Sequence, residues 1–388
     1  MKAVTFITVS IILLFSEDYL ILSNLILAVK ERNPEITSMR QKVSAAKENI
    51  KIKGSWNQPK IGTEYYFSEN RFMFEALQTI PFPGKTSSKI KIAKLDAAIS
   101  EQMLSAKTFL IISEIKKAYY MYYLAYNKNR VINENLDLMK QYAANADALY
   151  AAGKSQQSDL LKANAEIVIM ENMMYMHNAE IESSISMIRS LLDYNADKKL
   201  GIPEEINIKP VIFSNLSLDL SPVIKIKNII MEKNLKELGL SRLEWLPDFM
   251  TGIKYDTMED LGVMVSAEIP VYFFRQAAEV RKMKYESEMA ENELLNEKNI
   301  TRAKLDALVN NYKAKLKSAE NSKNTVIPLR EQTLKVSEAA YRAGKGSFLD
   351  LLDSADKYLK DRHDYYETVI ELKFILAEIE QITGKEIE

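Results

Sequence analysis

The sequence predicts a mainly α-helical chain with a smaller β-sheet part, built as a tandem duplication. Three observations lead to this fold class. The 388 residues contain only 11 Gly and 10 Pro, which favours long uninterrupted elements. Two stretches alternate apolar and polar residues with the period of a strand. Finally, YAAGKSQQSDLLKA at 150–163 returns as YRAGKGSFLDLLDS at 341–354, an offset of 191 residues.

Composition excludes several classes of function. Lys plus Arg total 52 and Asp plus Glu total 53, so the net charge of −1 gives no basic footprint for nucleic acid. The absence of cysteine rules out disulfides, thiolate metal sites and a cysteine nucleophile. No nucleophile, base and orienting group come together in any motif. We therefore expect a protein that is not an enzyme and needs no cofactor.

An apolar run, Ala3–Phe15, follows a single lysine at the start of the chain and ends at Glu17 and Asp18. Its 13 residues suit the apolar region of a signal peptide and are short for a membrane helix. We expect residues 1–16 to be a signal peptide and the mature chain to be exported. An N-terminal membrane anchor is the alternative.

Further landmarks repeat in the same order along the chain. Each is a short motif that contains proline, and the residue numbers of the two copies differ by 188 or 189. The pairs are Asn33-Pro34 with Ser221-Pro222, Gln58-Pro59 with Leu246-Pro247, and Ile80-Pro81 with Ile269-Pro270. Ordered landmarks at a nearly constant offset indicate a tandem duplication. We assign the first repeat to 17–200, a linker to 201–220, the second repeat to 221–384 and a tail to 385–388.

Both repeats follow one plan. A helical segment comes first, and alternating residues then predict a β-hairpin over about 59–80 and again over about 247–272. After each hairpin the apolar period changes to that of a helix. This predicts long helical hairpins over about 84–192 and 275–383. Pro328 alone argues against continuous helix in the second long stretch, where we expect a kink or a local break.

The turn of each helical hairpin has a capping signature. A glycine follows the long helix, where it can adopt a left-handed conformation, and a lysine placed for the negative end of the helix dipole comes next. In the second copy Ser347-Phe348-Leu349-Asp350 has the pattern of a capping box. Asp159 and Asp350 are therefore expected to satisfy amides at a helix start, and a functional carboxylate is the alternative.

The duplicated order of these motifs resembles the TolC-like outer membrane efflux proteins. The resemblance rests on Tyr-x-Ala-Gly-Lys followed by Asp-Leu-Leu, occurring twice, and on Ile-Pro after each second strand. It covers nearly the whole mature chain. It implies a homotrimer in which each protomer gives four strands to a 12-stranded transmembrane β-barrel in the outer membrane. A long periplasmic α-helical barrel would continue that β-barrel.

The resemblance also implies a function and partners. The protein would be the passive exit duct of a tripartite efflux pump, in contact with outer membrane lipid, a periplasmic adaptor and an inner-membrane pump of the RND type. The exit duct of a type I protein-secretion system is one alternative. A periplasmic coiled-coil adaptor or structural protein is another.

The resemblance places the hairpin turns at the periplasmic tip. The implied pore-gate residues are Asp350, Asp353, Asp159, Lys345 and Lys154. The implied turn and adaptor-contact residues are Gly153, Gly344, Ser155 and Ser347.

Two other clusters can be interpreted as structural or as functional. Met170, Met174 and His177 could ligate Cu(I), but their helical spacing predicts packing, and we predict no metal site. The run AYYMYYLAY at 118–126 could stack a ligand. We expect these tyrosines instead to pack between helices with their hydroxyls reaching water in the channel.

Overall fold

The computed structural model describes residues 19–192, 200–213, 217–270 and 272–387. The predicted signal peptide at 1–16 lies outside these residues. The helices are α1 Leu22–Arg32, α2 Pro34–Gly54, α3 Lys85–Ala151, α4 Gln157–Leu192, α5 Pro222–Leu243, α6 Phe273–Asn321, α7 Ile327–Arg342 and α8 Phe348–Thr383. The strands are β1 Tyr19–Leu20, β2 Lys60–Tyr66, β3 Arg71–Ile80, β4 Ile202–Pro203, β5 Asp248–Asp256 and β6 Asp260–Glu268.

The order of elements repeats, so the predicted mainly α-helical, duplicated fold is confirmed. The first repeat runs α2, β2, β3, α3, α4, and the second runs α5, β5, β6, α6, α7, α8. Helix α3 has 67 residues, and at about 1.5 Å per residue it is roughly 100 Å long. Among the described residues, no helix combines the length and the apolar composition that crossing a bilayer requires.

The start of each repeat uses a polar residue followed by proline. Asn33 caps α2, because its side-chain oxygen accepts hydrogen bonds from the amides of Glu35 (3.0 Å) and Ile36 (3.2 Å). Pro34 and Pro222 occupy the first turn of α2 and α5, where the missing amide hydrogen costs nothing. The helix starts therefore explain why these two landmarks recur.

Four strands form one antiparallel sheet in the order β2-β3-β5-β6. One row of the register runs Ile61, Ala76, Ile253, Val263 across all four strands. Gly252 lies where β3 and β5 approach closely, since a Cβ atom there would stand 2.1 Å from the carbonyl oxygen of Ala76. Strands β2 and β6 form the two edges of this sheet.

The helices pack as a layer in which α3 is central. It contacts α4 of its own repeat on one flank and α8 of the second repeat on the other. Nearer the sheet it lies between α2 and α5. Apolar clusters fill the seams among α1, α3, α4 and α8, the seams toward the hairpin turns, and the seam between α6 and α8.

The second long helix contains one irregular turn. A π-helical segment, Ser322–Val326, separates α6 from α7, and the amide of Ile327 bonds to the carbonyl of Ser322 five residues earlier. Pro328 follows at once and cannot donate a hydrogen bond in this turn. The break that the sequence predicts at Pro328 thus takes the form of a π-turn, after which the helix continues.

Residues 201–213 of the predicted linker form an extended strap that lies on the helices. Strand β4 pairs in parallel with β1, and tyrosine hydroxyls bond to the backbone at residues 201, 204 and 206. The hydroxyl of Tyr119 accepts from the amide of Glu204 at 3.1 Å, and that of Tyr123 accepts from Ile206 at 3.4 Å. Tyr122 donates to the carbonyl of Gly201.

This strap corrects the expectation for the tyrosine run at 118–126. The hydroxyls of Tyr119, Tyr122 and Tyr123 bind the backbone of the strap instead of reaching water in a channel. Burial accordingly raises the pKa of Tyr119 above its ordinary value. The same device recurs in the second repeat, where the Tyr312 hydroxyl accepts from the amide of Val211 at 3.3 Å.

Candidate functional site

The two helical-hairpin turns have the same backbone geometry. Gly153 and Gly344 have φ angles of 69° and 70°. In the first turn the amide of Lys154 bonds to the carbonyl of Leu149 at 2.8 Å, and in the second Lys345 bonds to Ala340 at 2.9 Å. These six-to-one bonds satisfy carbonyls at the end of α3 and α7. A tight reversal of direction follows in both copies.

The structure brings the two turns together. A groove of about 450 Å³ lies between them, and both copies of the motif line it. Of the predicted site residues, Lys154, Ser155 and Asp159 line it from the first turn, and Gly344 and Ser347 from the second. Tyr341 and Phe348 pack beside it with ring centroids 5.2 Å apart. Burial, followed by the charge of Asp159, raises the pKa of the Tyr341 hydroxyl.

Asp350 and Asp353 are not among the residues that line this groove. The hydroxyl of Ser347 accepts from the amide of Asp350 at 3.1 Å and donates to its carboxylate at 2.8 Å. Asp353 is exposed on the next turn of α8 and forms an ion pair with Lys357 at 2.7 Å. Asp350 thus takes part in starting α8, whereas Asp353 pairs with Lys357 on the exposed surface of the same helix.

The three residues of the methionine and histidine cluster have different surroundings. Met170 is buried in the apolar cluster nearest the turns, and Met174 packs against it. His177 contacts Glu180 through Nδ1 at 2.9 Å and meets the ring of His363 edge-on, with centroids 5.7 Å apart. Within the described ranges no three His, Asp or Glu side chains are grouped to hold a metal ion.

The sheet at the other end of the long helices has two different faces. Side chains alternate between faces along each strand. One face is apolar and exposed, and it includes Ile61, Phe72, Ile253, Val263 and Val265. The opposite face carries charged residues. On that face Arg71 of β3 binds Asp256 of β5, with Nε and Oδ1 3.0 Å apart.

An exposed apolar face combined with a polar opposite face is the pattern of a strand set that separates lipid from an aqueous interior. In a soluble sheet the arrangement is reversed, because the apolar face packs on a core. The paired turns and this sheet stand at opposite ends of α3, since α3 begins shortly after β3 and ends next to the first turn.

Comparison with known proteins agrees with this arrangement. Residues 25–172 match the family described as outer membrane efflux protein. The matched segment runs from α1 into α4. The resemblance predicted from the duplicated motifs is thereby confirmed.

Individual relatives extend the similarity over most of the chain. The cobalt-zinc-cadmium resistance protein CzcC of Cupriavidus metallidurans is 23% identical over 316 residues, which cover 79% of this chain and 75% of CzcC. The outer-membrane channel OprN has a TM-score of 0.82 at 15% identity, covering 94% of this chain and 89% of OprN. VceC of Vibrio cholerae has a TM-score of 0.81 at 14% identity, covering 95% of this chain and 97% of its own. The fold is thus that of TolC-like outer membrane channels.

The sequence motifs did not predict two features of the structure, the strap over the helices and the ion pair of Asp353. The strap is invisible because its hydrogen bonds join tyrosines to a segment that is distant in sequence. The ion pair of Asp353 with Lys357 was readable, since residues four apart share a helix face.

Proposed function

We propose that this protein is the outer membrane exit duct of a tripartite efflux system. The single observation that carries the proposal is the four-stranded sheet with an exposed apolar face and two open edges, joined by roughly 100 Å of helix to a pair of hairpin turns. The sheet suits a bilayer, and the turns suit contact with a protein on the inner side. The protein has no catalytic role in this proposal.

The open edges favour a closed ring of three copies. In a bilayer every backbone amide and carbonyl needs a partner, so strands β2 and β6 cannot remain sheet edges. Pairing β6 of one protomer with β2 of the next gives twelve strands from three protomers. The apolar face then contacts outer membrane lipid, and the charged face lines the interior.

The helices favour the same ring. Both flanks of α3 are covered within the chain, but α4 and the α6–α7 helix each have one uncovered flank. Large apolar side chains are exposed on both. On α4 they include Leu161, Val168, Tyr175 and Met176, and on α6–α7 they include Tyr285, Met289, Ile300, Leu329 and Val336. Contact between α4 of one copy and α6–α7 of the next covers both flanks.

We infer that the ring of turns forms the periplasmic tip of the duct. Three copies place six turns around one opening, and Asp350, Asp353 and Asp159 add negative charge near it while Lys154 and Lys345 add positive charge. The turn residues are the proposed contact for a periplasmic adaptor: Gly153, Gly344 and Ser347 are exposed, and Ser155 is partly buried. An inner-membrane pump of the RND type supplies the energy for transport in this proposal.

Substrate choice rests with the pump in this proposal. The name of the relative CzcC refers to cobalt, zinc and cadmium resistance, which makes divalent metal ions one candidate cargo. A type I protein-secretion duct would use the same architecture. Testing which adaptor co-purifies with the trimer separates the two.

The test has two steps. Membrane fractionation should recover the chain in the outer membrane as a trimer, and recovery in the soluble periplasm would contradict the proposal.

In planar bilayers, Asp350→Ala combined with Asp353→Ala should raise conductance and weaken cation preference. Asp356→Ala combined with Asp364→Ala removes two charges from the same helix farther from the turn and serves as the control. Equal behaviour of both double variants would assign Asp350 and Asp353 to helix stability alone.

A further inference from the structure

The only two tryptophans of the chain lie in the corresponding helix-to-strand connections of the two repeats, one residue apart in the repeat alignment. Trp56 lies between α2 and β2, and Trp245 lies between α5 and β5. Their side chains are 59% and 38% exposed. Tryptophan is enriched at the level of lipid headgroups because its ring is apolar and its N–H is polar. The pair therefore marks one level of the molecule, where helices meet the sheet.

At this level the first repeat is strongly basic. Residues 49–62 and 82–95 contain seven lysines and no acidic residue. Lys85 is buried, and the other six are exposed: Lys51, Lys53, Lys60, Lys89, Lys91 and Lys94. The matching part of the second repeat is mixed in charge, with Glu244, Asp248 and Glu279 beside its arginines. The lysine cluster therefore belongs to the first repeat and is not a general property of the helix ends.

A groove lies within this basic region. It has a volume of about 580 Å³ and lies where the end of α2, the start of α3 and α5 meet. Its lining includes Asn49, Lys53, Ser55, Asn57, Thr86 and Lys89. Two ammonium groups surrounded by amides and hydroxyls are a donor set suited to a phosphate oxygen cluster.

The three acidic residues that line the groove form ion pairs with other lysines, although Lys89 is also close enough to Asp248 to act on it electrostatically. Asp96 is paired with Lys233 at 2.8 Å, and Glu237 lies 3.6 Å from the same lysine. Asp248 is paired with Lys85 at 2.9 Å. Neither Lys53 nor Lys89 has a carboxylate within ion-pair distance in the described part of the chain. The groove therefore keeps two positive charges for a ligand.

The groove adjoins the end of the sheet where β3 leads into α3. Gln78, which follows Phe72, Phe74 and Ala76 on the apolar face of the sheet, donates from its side chain to the carbonyl of Asn57 at 2.8 Å. Ile52 lines the groove and is exposed. A ligand with its charge in the groove can thus lay an apolar part along the sheet.

We propose that this groove binds the phosphate headgroup of an anionic phospholipid in the inner leaflet of the membrane that the sheet crosses. Lys53 and Lys89 contact the phosphate, and Trp56 lies at the level of the glycerol. The acyl chains run along the apolar face. The inference rests on the proposed function, since it needs the sheet to be in a bilayer. It adds a specific lipid class and a site to that function.

Native mass spectrometry of the trimer purified in detergent tests the inference. Added phosphatidylglycerol should remain bound in preference to phosphatidylcholine. Lys53→Gln combined with Lys89→Gln should weaken phosphatidylglycerol binding about 30-fold, because a lysine near an anionic lipid contributes about 1 kcal/mol. Lys304→Gln combined with Lys313→Gln removes two exposed lysines from the middle of α6 and should change little.

Three outcomes would overturn the inference. They are equal retention of the two lipids, equal loss in both double variants, and displacement of the lipid by millimolar inorganic phosphate.

A second measurement does not depend on the lysine variants. In a Trp245→Phe protein in vesicles, phospholipid brominated near the headgroup should quench Trp56 strongly, and absence of quenching contradicts the proposal. If lipid binding fails while the trimer and its conductance are normal, the proposed exit-duct function is not contradicted.

Discussion

The two long helices start from the same plan and have different environments. Helix α3 is unbroken over 67 residues and is covered on both flanks by its own chain. Its counterpart is divided by a π-turn into α6 and α7 and is covered on one flank only, by α5 and α8. The comparison shows that position in the layer, more than the local pattern, decides how deeply a repeated helix is buried. In the proposed ring of three copies, the exposed flank of α6–α7 contacts another copy.

The difference in residue number between corresponding positions of the two repeats shows where the second repeat is longer. Ile80 corresponds to Ile269 before the long helix, whereas Gly153 corresponds to Gly344 after it, so the offset grows by two along the helix. Tyr122 and Tyr312, which both bind the strap, mark the intermediate value. A π-turn holds one more residue than the α-helical turn it replaces. The turn at Ser322–Val326 therefore accounts for the last residue of the difference.

The largest effect is expected at the buried ion pair that joins the repeats. Lys116 of α3 binds Glu380 of α8, and the two residues are 7% and 3% exposed. Glu380→Ala leaves a buried ammonium group unpaired and should cost roughly 3–5 kcal/mol. We expect loss of heat-stable trimer on semi-denaturing gels. Lys116→Met combined with Glu380→Leu should recover most of it, and failure to recover would point to a role for Glu380 beyond pairing.

The residues of the second and first repeat that correspond to Lys116 and Glu380 predict a contact between protomers. Lys116 corresponds to Asp306 in the second repeat, and Glu380 corresponds to Arg189 in the first, so the charges are exchanged. If α4 meets α6 of the next copy as α8 meets α3, these two residues face each other. We expect Asp306→Arg to destabilise the trimer by about 2 kcal/mol per interface.

A reciprocal change sharpens this second prediction. Arg189→Asp alone should have a similar effect, and the double charge exchange should restore trimer yield in detergent. Two single variants whose effects merely add would mean that the residues do not meet.

A smaller effect is expected on acidification, through the histidine of the second repeat. Burial, with Lys128 and His177 next, lowers the pKa of His363 to about 4. In the unfolded chain the value is about 6.5, so between these values the unfolded state binds more protons. Stability should therefore fall as the pH drops from about 6.5 toward 4, by about 2 kcal/mol per protomer.

Thermal unfolding of the trimer at several pH values measures this loss. His363→Asn should flatten the decline, whereas His177→Asn, in the first repeat, should change it little. A decline of the same size in both variants would assign the pH dependence to carboxylates.

The sequence was most informative where structure is local. The turns at Gly153 and Gly344, the strand alternation around Ile253 and the helix start at Asn33 all depend on a few neighbouring residues. The partners of the Tyr119 and Tyr123 hydroxyls depend on where a distant strap lies, so no local pattern could predict them. The groove beside Trp56 likewise forms only when α2, α3 and α5 come together.

The smallest difference is expected between the two turn glycines. Both have φ near 70°, and among the described atoms an added Cβ would meet nothing within 4 Å at either one. The cost of Gly153→Ala and Gly344→Ala therefore comes from the left-handed backbone alone, about 1 kcal/mol each. The two melting temperatures should fall equally, although the helices that lead into the turns differ. A larger loss at Gly344 would mean that the turns are unequal in the assembled ring, and that the second one closes against a neighbouring protomer.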